Sequence, residues 1–167
     1  MLAGALSAGP AMASIPSAYV EAAQEYAVPP EVLFAVALAE SELLLTSNRV
    51  MPWPWTLNVE GREERYRNRV EAWEAIERHL EAGRRSIDIG LMQVNWRWHQ
   101  DLLQDPWTAL DPYFNLRAGA RILHDLYQED GDWATVVGRY HAPADTPAAR
   151  RRAEVYRARV LQRLERL

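Results

Sequence analysis

The sequence predicts a mainly α fold in one domain, with a small β excursion around residues 55–66 and 86–89. Three observations predict it. Apolar residues recur at spacings of three and four over most of the chain, the pattern of helices that bury one face. Between residues 47 and 86 that period gives way to short strand-like pieces punctuated by proline and glycine. A chain of 167 residues, 49% of them hydrophobic, builds one sizeable core without needing a second domain.

Ser17 to Ala27 reads as a first amphipathic helix, closed by Val28-Pro29-Pro30. Pro30 suits the first turn of a second helix, where its missing N–H costs nothing. Eight consecutive apolar residues, Val32 to Ala39, follow, and a helix apolar on every face is a buried one. Met51-Pro52-Trp53-Pro54-Trp55 reads as a stiff aromatic turn, and Thr56 to Val59 as a strand running into a turn at Glu60-Gly61. Arg69 to Ala82 is helical and stops at Gly83. Ser86 to Ile89 is strand-like, and Leu91 to Gln104 reads as helix after Gly90. Asp111-Pro112, Asp132 and Thr146-Pro147 open three further helices. The last carries Ala149, Ala153, Tyr156, Val160, Leu164 and Leu167 on one stripe.

Nineteen basic residues, all arginine, stand against twenty-three acids for a net charge of -4, which excludes nucleic-acid binding by bulk electrostatics. The charge is uneven, +5 over residues 148–167 and -9 over the rest, so a basic helix ends an acidic body. A solvated face is one reading of that helix. An anionic surface such as wall polymer, lipid head groups or an acidic partner is the other. Zero cysteines exclude disulfides, thiolate metal sites and a cysteine nucleophile. No apolar run is long enough to span a membrane. Residues 1–13, ending in Ala11-Met12-Ala13, fit the back part of a secretory signal, which makes residues 14–167 the mature domain and the expected location periplasmic.

Glu40 stands out chemically, because Leu33, Val36, Ala37, Leu43 and Leu44 surround it on its helix face. Desolvation and the negative end of the helix dipole both push its pKa up. A carboxyl that stays protonated near neutrality can give a proton to a leaving oxygen. The competing reading is a helix end where Glu40 simply meets water.

Four segments occur in a telling order: Ala39-Glu40-Ser41, then Gly90-Leu91-Met92-Gln93-Val94-Asn95, then Asp111 through Asn115 and Gly119 to Leu123, then Arg139-Tyr140-His141-Ala142-Pro143. In that order they resemble the soluble lytic transglycosylase family. The resemblance implies a lysozyme-like fold and cleavage of peptidoglycan strands between N-acetylmuramic acid and N-acetylglucosamine, leaving 1,6-anhydromuramoyl ends. It implies Glu40 as sole acid/base and Ser41 near the substrate or the acid. It implies Gly90, Leu91, Met92, Gln93 and Asn95 along the cleft, and Tyr140 hydrogen-bonding around the acid. No cofactor or metal is implied, and a monomer is expected. Ordinary glycosidases use two carboxyl groups, roughly 5–5.5 Å apart when retaining and about 6.5–9.5 Å when inverting. Here the muramoyl N-acetyl group and C6 hydroxyl would replace the second.

The pattern has departures. His141 stands where the family usually has Asn, and Pro143 where it has Gly, which stiffens the loop after Tyr140. His141 is either a ligand for Tyr140 or substrate, or an ordinary loop residue. Asp88 either anchors the turn into Gly90 or faces Glu40, the latter making a hydrolysing muramidase. Trp53 and Trp55 either stack on sugar rings at the cleft lip or pin the inserted helix to the core. Their segment, with Ser86 to Asn95, looks similar to transglycosylases carried with conjugative or other secretion machinery. Gly119, in mid-helix, is expected to permit a close helix contact.

Overall fold

The apolar run Val32–Ala39 decides the architecture. In the computed structural model, which describes residues 15–167, every one of these eight residues is buried. They belong to helix α2 (Pro30–Ser41), which follows α1 (Ser17–Glu25) after a short break at Tyr26–Pro29. The two helices meet through Tyr19, whose ring stands edge-on to Phe34 at 4.8 Å. The leader-like segment 1–13 lies outside the described residues.

Two small antiparallel sheets follow. Strands β1 (Glu42–Leu44) and β2 (Val50–Pro52) form a hairpin turned at Asn48, whose φ is +60°. Strands β3 (Thr56–Val59), β4 (Arg62–Arg65), β5 (Ile87–Ile89) and β6 (Val94–Asn95) form a sheet in the order β4-β3-β5-β6. The β excursion is therefore where the sequence puts it, and larger. Strands of three residues leave no periodicity to read, so β1 and β2 escape the pattern, and Met51-Pro52 is strand rather than turn. Helix α3 (Arg69–Glu81) is inserted between β4 and β5, with the Asn68 side chain accepting from the Glu71 amide at 3.0 Å.

The helix expected over Leu91–Gln104 starts only at Trp96. Gly90 at φ +82° and Gln93 at φ +46° cannot continue a helix, so residues 90–93 form a turn and α4 runs Trp96–Leu103. A short α5 (Pro106–Ala109) comes next. Then α6 (Pro112–Asp130), α7 (Trp133–His141) and α8 (Pro147–Leu164) begin at the predicted caps, Asp111, Asp132 and Thr146, each accepting a backbone N–H. Helix α8 packs on α7 and α2 through buried Ala149, Tyr156 and Val160, three positions of the predicted stripe.

The turn at residues 90–93 is buried, and buried peptide groups must find partners. Three helices supply them. From α6, Asn115 accepts the Met92 N–H at 2.8 Å and donates to the Ile89 and Ala109 carbonyls at 2.9 and 3.0 Å. From α2, the Ser41 hydroxyl donates to Leu91 O at 2.8 Å. From α7, the Tyr140 hydroxyl donates to Met92 O at 2.7 Å. The approach is so close that a Cβ on Gly90 would lie 2.6 Å from the Asn115 side chain, and one on Gly119 would lie 2.5 Å from Met92 Cγ. Gly119 thus admits a loop side chain rather than the helix contact expected for it.

Asn115→Ala removes the side-chain partner of three buried backbone groups, the Met92 N–H and the Ile89 and Ala109 carbonyls, and a buried group left unsatisfied costs about 1–3 kcal/mol. Urea unfolding should show a loss of about 3 kcal/mol or more, and a loss below about 1 kcal/mol would show that the turn does not depend on this pin.

Candidate active site

Glu40 occupies the last turn of α2 and faces a cleft of ≈470 Å³. Its side chain is only 12% exposed. Burial raises its pKa from 4.5 to about 7, and the charge of Asp88 pushes the same way, while Tyr156 and Arg159 oppose the rise. The carboxyl is accordingly part-protonated at neutral pH, the state a general acid requires. Arg159 is held in place by donating to the Ala39 carbonyl at 2.6 Å. The Tyr156 hydroxyl is buried beside Glu40 but completes no hydrogen bond of ordinary geometry.

His141 Nδ1 stands 4.0 Å from Glu40 Oε1, and the His141 ring lies flat on Tyr156 with centroids 4.5 Å apart. Burial lowers the His141 pKa, and the neighbouring Arg159 and Arg152 lower it further. The imidazole is therefore neutral at pH 7 and supplies no charge to the acid. Asp88 and Asn95 are register partners on β5 and β6, and Asn95 Nδ2 donates to Asp88 Oδ1 at 2.7 Å. Both line the Glu40 cleft. Asp88 therefore anchors its strand and also faces the cleft, which joins the two readings the sequence left open. Burial raises its pKa, and the Asn95 bond works against that.

The expected site residues fall into three groups. Glu40, Gln93, Asn95, Tyr140 and His141 line the cleft. Ser41, Gly90, Leu91 and Met92 lie behind it: Ser41 and Met92 are fully buried, and their work is to hold the turn rather than to meet a ligand. Gln93 is tied on its inner side, its Nε2 donating to Thr56 O and Gly90 O at 2.9 Å each. Tyr140 spends its hydroxyl on Met92 O, so it shapes the wall beside the acid without hydrogen-bonding the acid itself. Trp53 and Trp55 do not line the cleft. They stand edge to face at 5.2 Å, and Trp53 Nε1 donates to Tyr66 O at 2.7 Å, securing the chain just before α3.

Seven cleft or near-cleft residues lie outside what the sequence singles out: Asn58, Glu63, Trp98, His99, Ile122 and Arg159 line the cleft, and Tyr156 stands beside Glu40. The tryptophan at the cleft is Trp98, 72% exposed, next to His99, where α4 kinks. A signal was present: Trp96 and Trp98 are two apart on a helix, so they cannot both face the core. Tyr156 and Arg159, three apart on α8, share the face turned toward Glu40. Tyr156 reads as simple packing and Arg159 as a solvated charge until the docking of α8 on α2 is known.

The family described as "Transglycosylase SLT domain" matches residues 17–155. A relative, "Protein virB1" of Agrobacterium fabrum, is 34% identical over 100 residues, which are 60% of this chain and 38% of that protein. The chain thus spans well under two thirds of that relative. No solved structure matches it.

Carbon-13 titration of the Glu40 carboxyl should give a midpoint near 7. Arg159→Gln removes a stabilising positive charge and moves the midpoint up. Asp88→Asn removes a repelling negative charge and moves it down. A wild-type midpoint near 4.5 would contradict this account of the site.

Proposed function

The chain belongs to the transglycosylase SLT-domain family, and on that premise we propose that it is a peptidoglycan lytic transglycosylase. The lysozyme-like fold of that family agrees with a helical body carrying a small sheet. The single observation that carries the proposal is Glu40, a carboxyl on a buried helix end, raised to about 7 and opening on a cleft large enough for sugar rings.

The reaction needs one carboxyl in two roles. Protonated Glu40 gives its proton to the glycosidic oxygen as the bond from muramoyl C1 to that oxygen breaks. The muramoyl N-acetyl oxygen steadies the electron-poor C1. The C6 hydroxyl of the same sugar then attacks C1 while ionised Glu40 takes its proton, so Glu40 returns to its starting state and no water is consumed. Arg159 and Tyr156 favour the carboxylate that exists between the two proton transfers, and Asp88 and burial favour the acid at the start. The exposed ring of Trp98 offers an apolar face on which a sugar could stack.

A second reading, hydrolysis, rests on Asp88 lining the same cleft with a raised pKa, since a carboxylate there could activate water. The wall-degrading role belongs to an exported, periplasmic protein. Service to a secretion or conjugation apparatus is supported by the resemblance of the Trp53 and Ser86 segments to transglycosylases of such machinery and by the match to Protein virB1.

Digestion of purified sacculi, with the products weighed by mass spectrometry, separates the readings. Anhydromuramoyl ends support the transglycosylase, reducing ends support the muramidase, and absence of products supports a binding or scaffold role. Glu40→Gln should cut turnover by at least about a hundredfold with glycan binding kept. A variant as active as wild type would remove Glu40 from the mechanism.

A further inference from the structure

Helix α8 gives the catalytic reading only Tyr156 and Arg159, yet its basic face extends further. Residues 151, 152, 155, 156 and 159 share one side of the helix. With His141 and Ala148 they line a second hollow of ≈340 Å³. Arg151, Arg152 and Arg159 wall it, and no acidic side chain does. The nearby acids lie elsewhere: Asp145 pairs with Arg150 at 2.7 Å and, with Glu154, lines a different hollow. Among the described residues, the side chains of Arg151 and Arg152 make no ion pair or hydrogen bond. The arginine hollow also shares His141 and Arg159 with the Glu40 cleft, so the two form adjoining rooms with a common wall.

We propose that this hollow binds a carboxylate borne by a substituent of the glycan held in the cleft, namely the stem peptide attached to the muramoyl sugar. The inference deepens the glycan reading of the cleft and rests on it. Guanidinium groups present paired donors that match a carboxylate, and an anion tethered to a sugar already in the cleft reaches them at high effective concentration. Val155 and the Tyr156 ring give the hollow apolar surface for the aliphatic parts of a peptide. A lipid surface would use a convex basic face, whereas these arginines surround a concavity joined to the cleft.

The test uses the full chain carrying Glu40→Gln and two glycan fragments of equal length, one with native stem peptides and one whose stem-peptide carboxyl groups have been converted to amides. The fragment with free carboxyl groups should bind about tenfold more tightly. The gap should narrow as salt is raised. Adding Arg151→Gln and Arg152→Gln, both exposed and both replaced by a good helix former, should bring the two affinities together. No gap in the parent, or a gap that survives the double replacement, overturns the proposal. So does a result in which the arginine replacements abolish binding to phosphatidylglycerol vesicles while the two fragments bind equally throughout. Failure of the Glu40 reading would show separately, as cleavage of the fragments by the Glu40→Gln protein, because the affinity gap does not depend on turnover.

Discussion

Two peptide units, at Leu91 and Met92, are where the structure is decided. A turn with two positive φ angles is buried at the centre of the protein, and an interior turn is stable only when its N–H and C=O groups are paired. Ser41, Asn115 and Tyr140 do this from three different helices. The same three bonds fix α2, α6 and α7 relative to one another. Because Ser41 follows Glu40 directly, pinning the serine also aims the glutamate. Because Tyr140 precedes His141, the third pin sets the ring that stands near the acid. Gly90 and Gly119 are required because the turn and α6 approach too closely for a Cβ.

On this frame the electrostatics of Glu40 are a balance of opposed effects rather than a single push. Burial dominates and favours the neutral acid. Arg159 and the Tyr156 hydroxyl hold the rise in check, and both come from α8. Without them its pKa would climb further, and the acid would hold the first proton too tightly to give it readily to the leaving oxygen. Without burial it would be an ordinary carboxylate with no proton to give. Helix α8 therefore takes part in the chemistry as well as closing the core.

Much of this was legible in the sequence because it lies in strong local signals. The apolar run Val32–Ala39, the caps at Asp111, Asp132 and Thr146, and the Glu40 face each follow from residue spacing alone. The four ordered segments supply both the lining of the cleft and the turn behind it, and spacing does not tell the two apart. Ser41 and Met92 look like cleft residues from their neighbours, and only the tertiary hydrogen bonds reveal that they stand behind the wall. Leu91, Met92 and Val94 carry a helix-like apolar pattern because they are buried, and burial of a turn imitates the face of a helix. Trp53 and Trp55 stand out by their density in the sequence, whereas Trp98, the tryptophan at the cleft, is marked only by its spacing of two from the buried Trp96.

The central claim is that the fold holds Glu40 in a place that prefers the neutral acid, and its most direct test needs no substrate. With a folded-state pKa near 7 against 4.5 for the ordinary carboxyl, the stability contributed by the protonated group is fully present below pH 4.5 and is lost as pH rises through 7. Glu40→Gln has no proton to lose. Unfolding free energies of the two proteins, measured by urea from pH 4 to pH 8, should differ by a constant offset at low pH. That offset should then shift by about 3 kcal/mol in favour of the glutamine variant as pH rises from 4.5 to 7, and level off above it. An offset that stays flat across the whole range would mean that Glu40 is an ordinary solvated carboxylate, and the account of the site would fail.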